Sequence, residues 1–253
     1  MAPAAAARRR RTGVTVQVEY TSPDQFAATC AQVTARLIAV AQAERGWASV
    51  AFSGGSTVGP VFDELVTLAA DPPSPDLVVD WGRVGVAQVD ERVVAFDQPE
   101  RNGAVLVERL LDALPVRPAI VELLPVELVD PGGWLDAARA GLARATGVGS
   151  SFDVVQLGLG PDGHTASLVP GDPVLEVRSD PVALTGLYQG YRRLTMTYPV
   201  LDAAGARVWW VESAAPGQAK ARAASALLAG DRSVPAGWVE RAETTVVIDA
   251  GDG

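Results

Sequence analysis

Histidine and cysteine occur once each in this 253-residue chain, and methionine only twice. A single cysteine permits no intrachain disulfide and no cysteine zinc cluster. A single histidine excludes a multi-histidine metal centre; neither a resident metal nor a cofactor is expected, the alternative being a carboxylate-rich Mg²⁺ site around Asp90, Glu91 and Asp162. Positive charge is also scarce: 21 Lys and Arg stand against 30 Asp and Glu, a net charge of -9. Such a chain is a poor partner for nucleic acid and attracts no anion at long range. Any anion site must be a local cluster of arginine, lysine and backbone N–H groups. No apolar run approaches the ~18–20 residues of a membrane span, so no membrane partner is expected. The first twelve residues, ending in Arg8 to Arg11, carry the charge of a secretory leader, but no hydrophobic segment follows. Residues 1–13 therefore read as a disordered basic tail, and the chain as cytoplasmic, a monomer or small homo-oligomer.

What the chain has is apolar mass: 48% of its residues are hydrophobic, enough to bury a large core. Strand-like runs alternate with helix-like stretches. Ala48 to Ser53, Val84 to Val89, Ile120 to Leu124, Phe152 to Leu157, Leu194 to Thr197, Arg207 to Glu212 and Thr244 to Asp249 read as strands. Thr57 to Ala69, Gly103 to Leu114 and Trp134 to Ala145 read as helices, and another follows Pro216, which suits a first turn, with Gly230 at its C′ position. Cys30 lies in a helical apolar stripe with Phe26, Val33, Leu37 and Ile38 and reads as core rather than as a nucleophile. Strand–helix alternation predicts an α/β fold, a Rossmann-like and mostly parallel sheet flanked by helices. With no internal repeat and no marked linker, residues 14–253 read as one domain.

The lone histidine, His164, sits in the most motif-like stretch, Phe152-Asp-Val-Val-Gln-Leu-Gly-Leu-Gly-Pro-Asp-Gly-His-Thr-Ala-Ser-Leu-Val-Pro-Gly171. A buried parallel strand here opens into a glycine-rich loop carrying Asp162, Gly163 and His164. Ligand crevices of open α/β sheets lie outside such strand ends, and histidine is the side chain suited to proton transfer near neutral pH. The bland alternative is a loop histidine in a structural hydrogen bond. Phe52-Ser-Gly-Gly-Ser-Thr57 also follows a strand and opens a helix. Its Ser53, Gly54, Gly55, Ser56 and Thr57 would let an anion approach backbone N–H groups, although Ser56 could equally be a plain helix cap. Asp90, Glu91 and Arg92 stand at a third strand end, with Asn102 opening the next helix. They are either a solvated charged turn or polar ligands, Arg92 being suited to bidentate capture of a phosphate or oxyanion. Arg192, Arg193 and Lys220 are isolated cations, for which a surface role is the usual one.

Taken together and in this order, Ser53-Gly-Gly-Ser-Thr57, Asp90-Glu-Arg92, Gly158-Leu-Gly-Pro-Asp-Gly-His-Thr-Ala-Ser-Leu168, Arg193-Leu-Thr-Met-Thr197 and Lys220 resemble the 6-phosphogluconolactonase family over residues 20–250. That family shares its fold with glucosamine-6-phosphate deaminase and ribose-5-phosphate isomerase, so fold alone does not choose the reaction. The related deaminases carry Gly-His-Ile-Ala-Phe-Asn where this chain has Thr165-Ala-Ser-Leu168 after its histidine. The resemblance implies hydrolysis of 6-phospho-D-glucono-1,5-lactone to 6-phosphogluconate, a step of the oxidative pentose phosphate pathway. His164 would act as general base on water and Asp162 would orient it. Arg92, Lys220 and backbone N–H groups would hold the phosphate or the developing oxyanion, with Ser53–Thr57 against the substrate. Deamination or isomerisation of a sugar phosphate, and a non-catalytic sugar-phosphate sensor, are the competing readings. The chain departs from the family pattern at Val94-Ala95, at Arg101 before Asn102 where serine is usual, at Val169, and in the Gly217-x-x-Lys220 spacing. These departures bear on the phosphate contacts and leave the histidine segment intact.

Overall fold

The computed structural model of the chain describes residues 16–127, 131–147, 149, 151–214, 217–249 and 251. The expected basic tail and Pro216 lie outside them. The chain runs β1 (Val16–Thr21), α1 (Phe26–Arg45), β2 (Ala48–Phe52), α2 (Val58–Ala70), β3 (Val84–Gln88), β4 (Asp90–Arg92) and α3 (Asn102–Leu106). It continues through β5 (Ile120–Glu122), α4 (Pro131–Ala145), β6 (Val154–Gly158), β7 (Val182–Leu184), β8 (Arg193–Met196), α5 (Tyr198–Ala203), β9 (Ala206–Val211), α6 (Ala221–Ala229) and β10 (Thr244–Asp249). Seven strands form one sheet in the order β1-β10-β9-β6-β2-β3-β5, and its strand pairs are parallel.

Because strand side chains alternate between faces, the apolar strands feed two cores. Val50 and Phe52, Val84 and Val86, Val208 and Trp210 pack on one face with residues of α1, α2 and α3. Ala51, Ala87, Val155, Leu157, Trp209 and Val211 pack on the other with residues of α4, α5 and α6. A sheet covered on both faces explains why these strands read as continuous apolar runs. Contrary to the expectation that no apolar run approaches a membrane span, the 20-residue α1 is, by length and composition alone, long and apolar enough to cross a bilayer. Its Cys30, Ala31 and Ile38 are nevertheless fully buried, Gln32 and Arg36 are exposed, and it packs on α2, β2 and β10. It is a core helix, and Cys30 lies in that core as expected.

Three further expectations need correction, and one strand was not foreseen. The Leu194–Thr197 run does not join the parallel sheet: β8 forms a separate antiparallel sheet in the order β4-β8-β7. Its Leu194 and Met196 close the second core, a tertiary pairing that strand propensity cannot foresee. The helix read over Gly103–Leu114 is α only to Leu106. It passes into one π-helical stretch, Val107–Leu111, and residues 112–114 turn away. The helix read from Pro216 begins at Ala221, with Lys220 at its cap position, and ends as expected on Gly230 at φ 65. Finally, β1 was not legible: as a half-exposed edge strand it lacks a continuous apolar run.

Candidate active site

The C-terminal ends of β2, β3, β6 and β9 open on one side of the sheet. β2 lies between β3 and β6, so the loops leaving β2 and β6 diverge and leave a crevice, as at the switch points of open α/β sheets. The cleft there, about 750 Å³ with its mouth, is lined by Ser53 to Val58, Asp90, Arg92, Asn102, Gln156, Gly158 to Gly160, His164, Ala166, Arg193, Trp210 and Lys220. Every sequence-derived candidate lines it except Glu91, Asp162, Gly163 and Arg192.

The β2 loop is clasped to β6. Ser53 N–H donates to Gln156 Oε1 at 2.9 Å, and Ser53 Oγ donates to the Gln156 carbonyl at 3.0 Å. Thr57, not Ser56, takes the cap position of α2, and its side chain makes no capping bond. Its hydroxyl instead donates to Glu212 at 2.9 Å. The first-turn N–H groups of α2 therefore remain available on a cleft wall lined by Ser56, Thr57 and Val58. Gly54 is required here by space, because a Cβ would stand 2.0 Å from the Asn102 side chain.

Strand alternation separates the Asp-Glu-Arg triplet. Asp90 and Arg92 face the cleft and Glu91 faces away from it. Glu91 is fully buried. It accepts from Gln88 Nε2, from the Arg92, Asn102 and Gly103 amides at 2.7–2.9 Å, and stands 3.4 Å from Arg101 Nε. It is a structural hub rather than a substrate ligand, and Arg101, in the place where serine is usual, is its buried partner. Asp90 accepts from Ser167 Oγ at 2.6 Å and, through its carbonyl, from Asn102 Nδ2. Arg92 donates to the Glu100 carbonyl at 2.6 Å. It lies directly opposite Arg193 in the β4–β8 pair. Like charges at directly opposed positions are unfavourable, and the Nε atoms of both arginines are buried without a hydrogen-bond partner. Two such guanidiniums on one cleft wall are arranged to receive an anion. Burial pulls the Arg193 guanidinium down from its usual value, with the charge of Asp90 opposing; an arginine keeps its charge nonetheless.

The β6 loop carries the histidine. His164 Nδ1 lies 2.5 Å from Asp162 Oδ1, and the His164 N–H donates to the same oxygen. With Nδ1–H donated to this carboxylate, Nε2 holds the free lone pair. Burial raises the Asp162 pKa, but attraction to His164 and hydrogen bonds from His164 and Tyr188 outweigh it, and the carboxyl stays below its usual value. Gly163 is fixed within this loop rather than on the cleft wall: its N–H donates to the Gly160 carbonyl, and its carbonyl accepts from Ala236 N–H. Lys220, its pKa lowered by burial with Glu212 opposing, lies at the β9 end of the cleft. Among the described residues no group of three His, Cys, Asp or Glu side chains is arranged to hold a metal.

Residues 21–248 match the family described as glucosamine-6-phosphate isomerases/6-phosphogluconolactonase. The chain belongs to this family. It is 33% identical to a 6-phosphogluconolactonase of Streptomyces coelicolor over 224 residues, 83% of this chain and 82% of the relative. It is 34% identical to one of Synechocystis sp. over 186 residues, 72% and 73% of the two chains. The fold superposes on the crystal structure of a 6-phosphogluconolactonase from Thermotoga maritima with a TM-score of 0.77 at 22% identity, covering 94% of this chain and all of the other. It superposes nearly as well, at 0.76 and 17% identity over 92% and 98% of the chains, on a monomeric glucosamine-6-phosphate deaminase.

In this family member the sequence reading missed three residues of the site. Gln156 fastens the β2 loop from inside a strand. Glu212 holds Thr57 beside Lys220. Tyr188 donates to Asp162 Oδ2 at 2.9 Å from the connection between β7 and β8. Gln156 lies within the Phe152–Gly171 stretch but on its strand, and Glu212 and Tyr188 sit in no recognisable motif, so only chain packing shows each at the cleft.

Proposed function

We propose that this chain hydrolyses 6-phospho-D-glucono-1,5-lactone to 6-phosphogluconate, as the oxidative pentose phosphate pathway requires, with His164 as general base. The observation that carries the reading is the Asp162–His164 pair set against a cleft holding three cations, Arg92, Arg193 and Lys220. The names of the relatives with about a third identity support the same activity. His164 Nε2 takes a proton from water as its oxygen attacks the lactone carbonyl C1. The C1–O5 bond then breaks, and the imidazolium returns the proton to O5, leaving the open-chain acid. A δ-lactone is reactive enough for one positioned base, a contribution of typically 10²–10⁴-fold. Lys220, the Ser53–Thr57 loop and the N-terminus of α2 form one anion-binding wall and the Arg92–Arg193 pair another. Between them they serve the phosphate and the oxyanion.

The deaminase-like fold keeps one competing reading in view. Ring opening and proton shuttling at C1 and C2 need a second acid–base group, and Asp90 is a carboxylate on the cleft, although Ser167 already occupies it. Fresh 6-phosphogluconolactone, with acid release followed above the spontaneous rate, tests the proposal beside glucosamine 6-phosphate with ammonia release. Lactone turnover that His164→Ala lowers by at least a hundredfold is expected. Ammonia release without lactone turnover would overturn the assignment.

A further inference from the structure

We propose that Tyr188 is a positioning residue: it locks the Asp162–His164 pair in the tautomer a base requires and ties that pair to the cation of Arg193. The proposal rests on the reading of His164 as the base. An isolated imidazole prefers the Nε2–H form, whereas a base acting through Nε2 needs the proton on Nδ1, so an acceptor must be held rigidly at Nδ1. Asp162 is that acceptor, and its carboxylate is fixed at both ends. Oδ1 lies 2.5 Å from His164 Nδ1, and Oδ2 accepts from the Tyr188 hydroxyl at 2.9 Å. Rotation of the carboxylate breaks one bond or the other. The Tyr188 ring also meets the imidazole edge-on, 5.4 Å between centroids at 68°. The Arg193 guanidinium lies over the same ring at 4.9 Å. The phenol is held in its donor form, its pKa raised by burial and by Asp162.

The segment that carries Tyr188 is built to hold still. Tyr188 and Tyr191 exchange backbone hydrogen bonds at 3.0 and 3.2 Å, around Gln189 at φ 51 and Gly190 at φ 87. Two successive positive φ values mark the tight hairpin turn whose twist suits antiparallel strands. Tyr191 then donates to Glu100 at 3.1 Å, the residue whose carbonyl holds Arg92. The turn thus joins the base to both arginines of the β4–β8 pair.

Because His164 is the only histidine, nitrogen NMR of the untagged chain labelled on histidine reports this one ring without assignment. Wild type is expected to show the Nδ1–H tautomer, and Tyr188→Phe a mixture with Nε2–H. Tyr188→Phe keeps the ring over Arg193 and should lower kcat about tenfold with KM little changed, the size expected for loss of one hydrogen bond to a charged group. Tyr188→Leu removes the ring too and should raise KM in addition. An unchanged tautomer in Tyr188→Phe overturns the proposal whatever the kinetics, and so does an equal rise of KM in both variants. Absence of lactonase activity in wild type would instead sink the lactonase reading, with the NMR comparison still deciding the role of Tyr188.

Discussion

Replacing Gly160 by alanine should disable the site without unfolding the protein, and the structure sets the size of the effect. A Cβ at Gly160 would stand 2.1 Å from both Cε1 and Nδ1 of His164 and 2.9 Å from Asp162 Oδ1. Ordinary contact begins at 3.4 Å, so the imidazole must retreat by about 1.3 Å (3.4 against 2.1 Å). That movement cannot be absorbed within the 2.5 Å Nδ1–Oδ1 contact, so the ring swings away from Asp162. Displacement of a reacting group by about 1 Å costs about 10²-fold in rate, and loss of the base altogether sets a limit of about 10⁴. Gly160 does not have a positive φ, and the His164 side chain is 20% exposed, so the ring has somewhere to go. Gly160 is itself buried and the Asp162–His164 contact is lost, so stability to thermal unfolding should fall by about 1 kcal/mol, well short of unfolding the protein. The assay is kcat for 6-phosphogluconolactone after subtraction of spontaneous hydrolysis, with calorimetry on the same sample. A variant keeping more than about a third of wild-type kcat would refute the reasoning, because a ring displaced from its partner cannot retain that rate.

Other substitutions separate binding, chemistry and stability. Glu91→Ala leaves buried Arg101 with only Glu127 at 3.7 Å as a counter-charge and four donors unmet, and should cost about 3 kcal/mol in urea denaturation, so a variant as stable as wild type would show that Glu91 is no hub. Arg92→Ala should weaken turnover of the phosphorylated lactone and spare gluconolactone if Arg92 binds phosphate. It should slow both by a similar factor, about 10²–10³, if it stabilises the oxyanion; wild-type kinetics on both substrates would remove Arg92 from the site. The folded-state pKa of Asp162 lies below the usual 3.8, so its contribution to stability is fully present above that value and fades as pH falls through the lowered one. The stability gap between wild type and Asp162→Asn should accordingly shrink as pH falls through the carboxylate range; a gap that grows in acid would contradict the direction of the shift.

By itself the amino-acid sequence determined the parallel α/β sheet, the strand ends that matter and most of the residues on the cleft. The reason is local: strands covered on both faces must be apolar throughout, and the glycine-rich segments after β2 and β6 signal where the backbone leaves the sheet. The family resemblance, carried by Asp162-Gly-His-Thr-Ala-Ser-Leu168, agreed with the family match over residues 21–248. Tertiary structure decided the rest, because it depends on partners distant in the chain. Alternation along β4 can be read in Asp90-Glu-Arg92, but which face meets the cleft follows from β4 pairing with β8. That pairing turned Glu91 inward to Arg101 and set Arg92 opposite Arg193. Lys220 lies at the N-terminal cap of α6 and lines the cleft, a placement that its isolated position in the sequence does not show. Tyr188 carries no motif at all: it meets Asp162 because a tight turn between β7 and β8 delivers its hydroxyl across 26 residues of sequence, a contact made by packing and invisible to any local pattern.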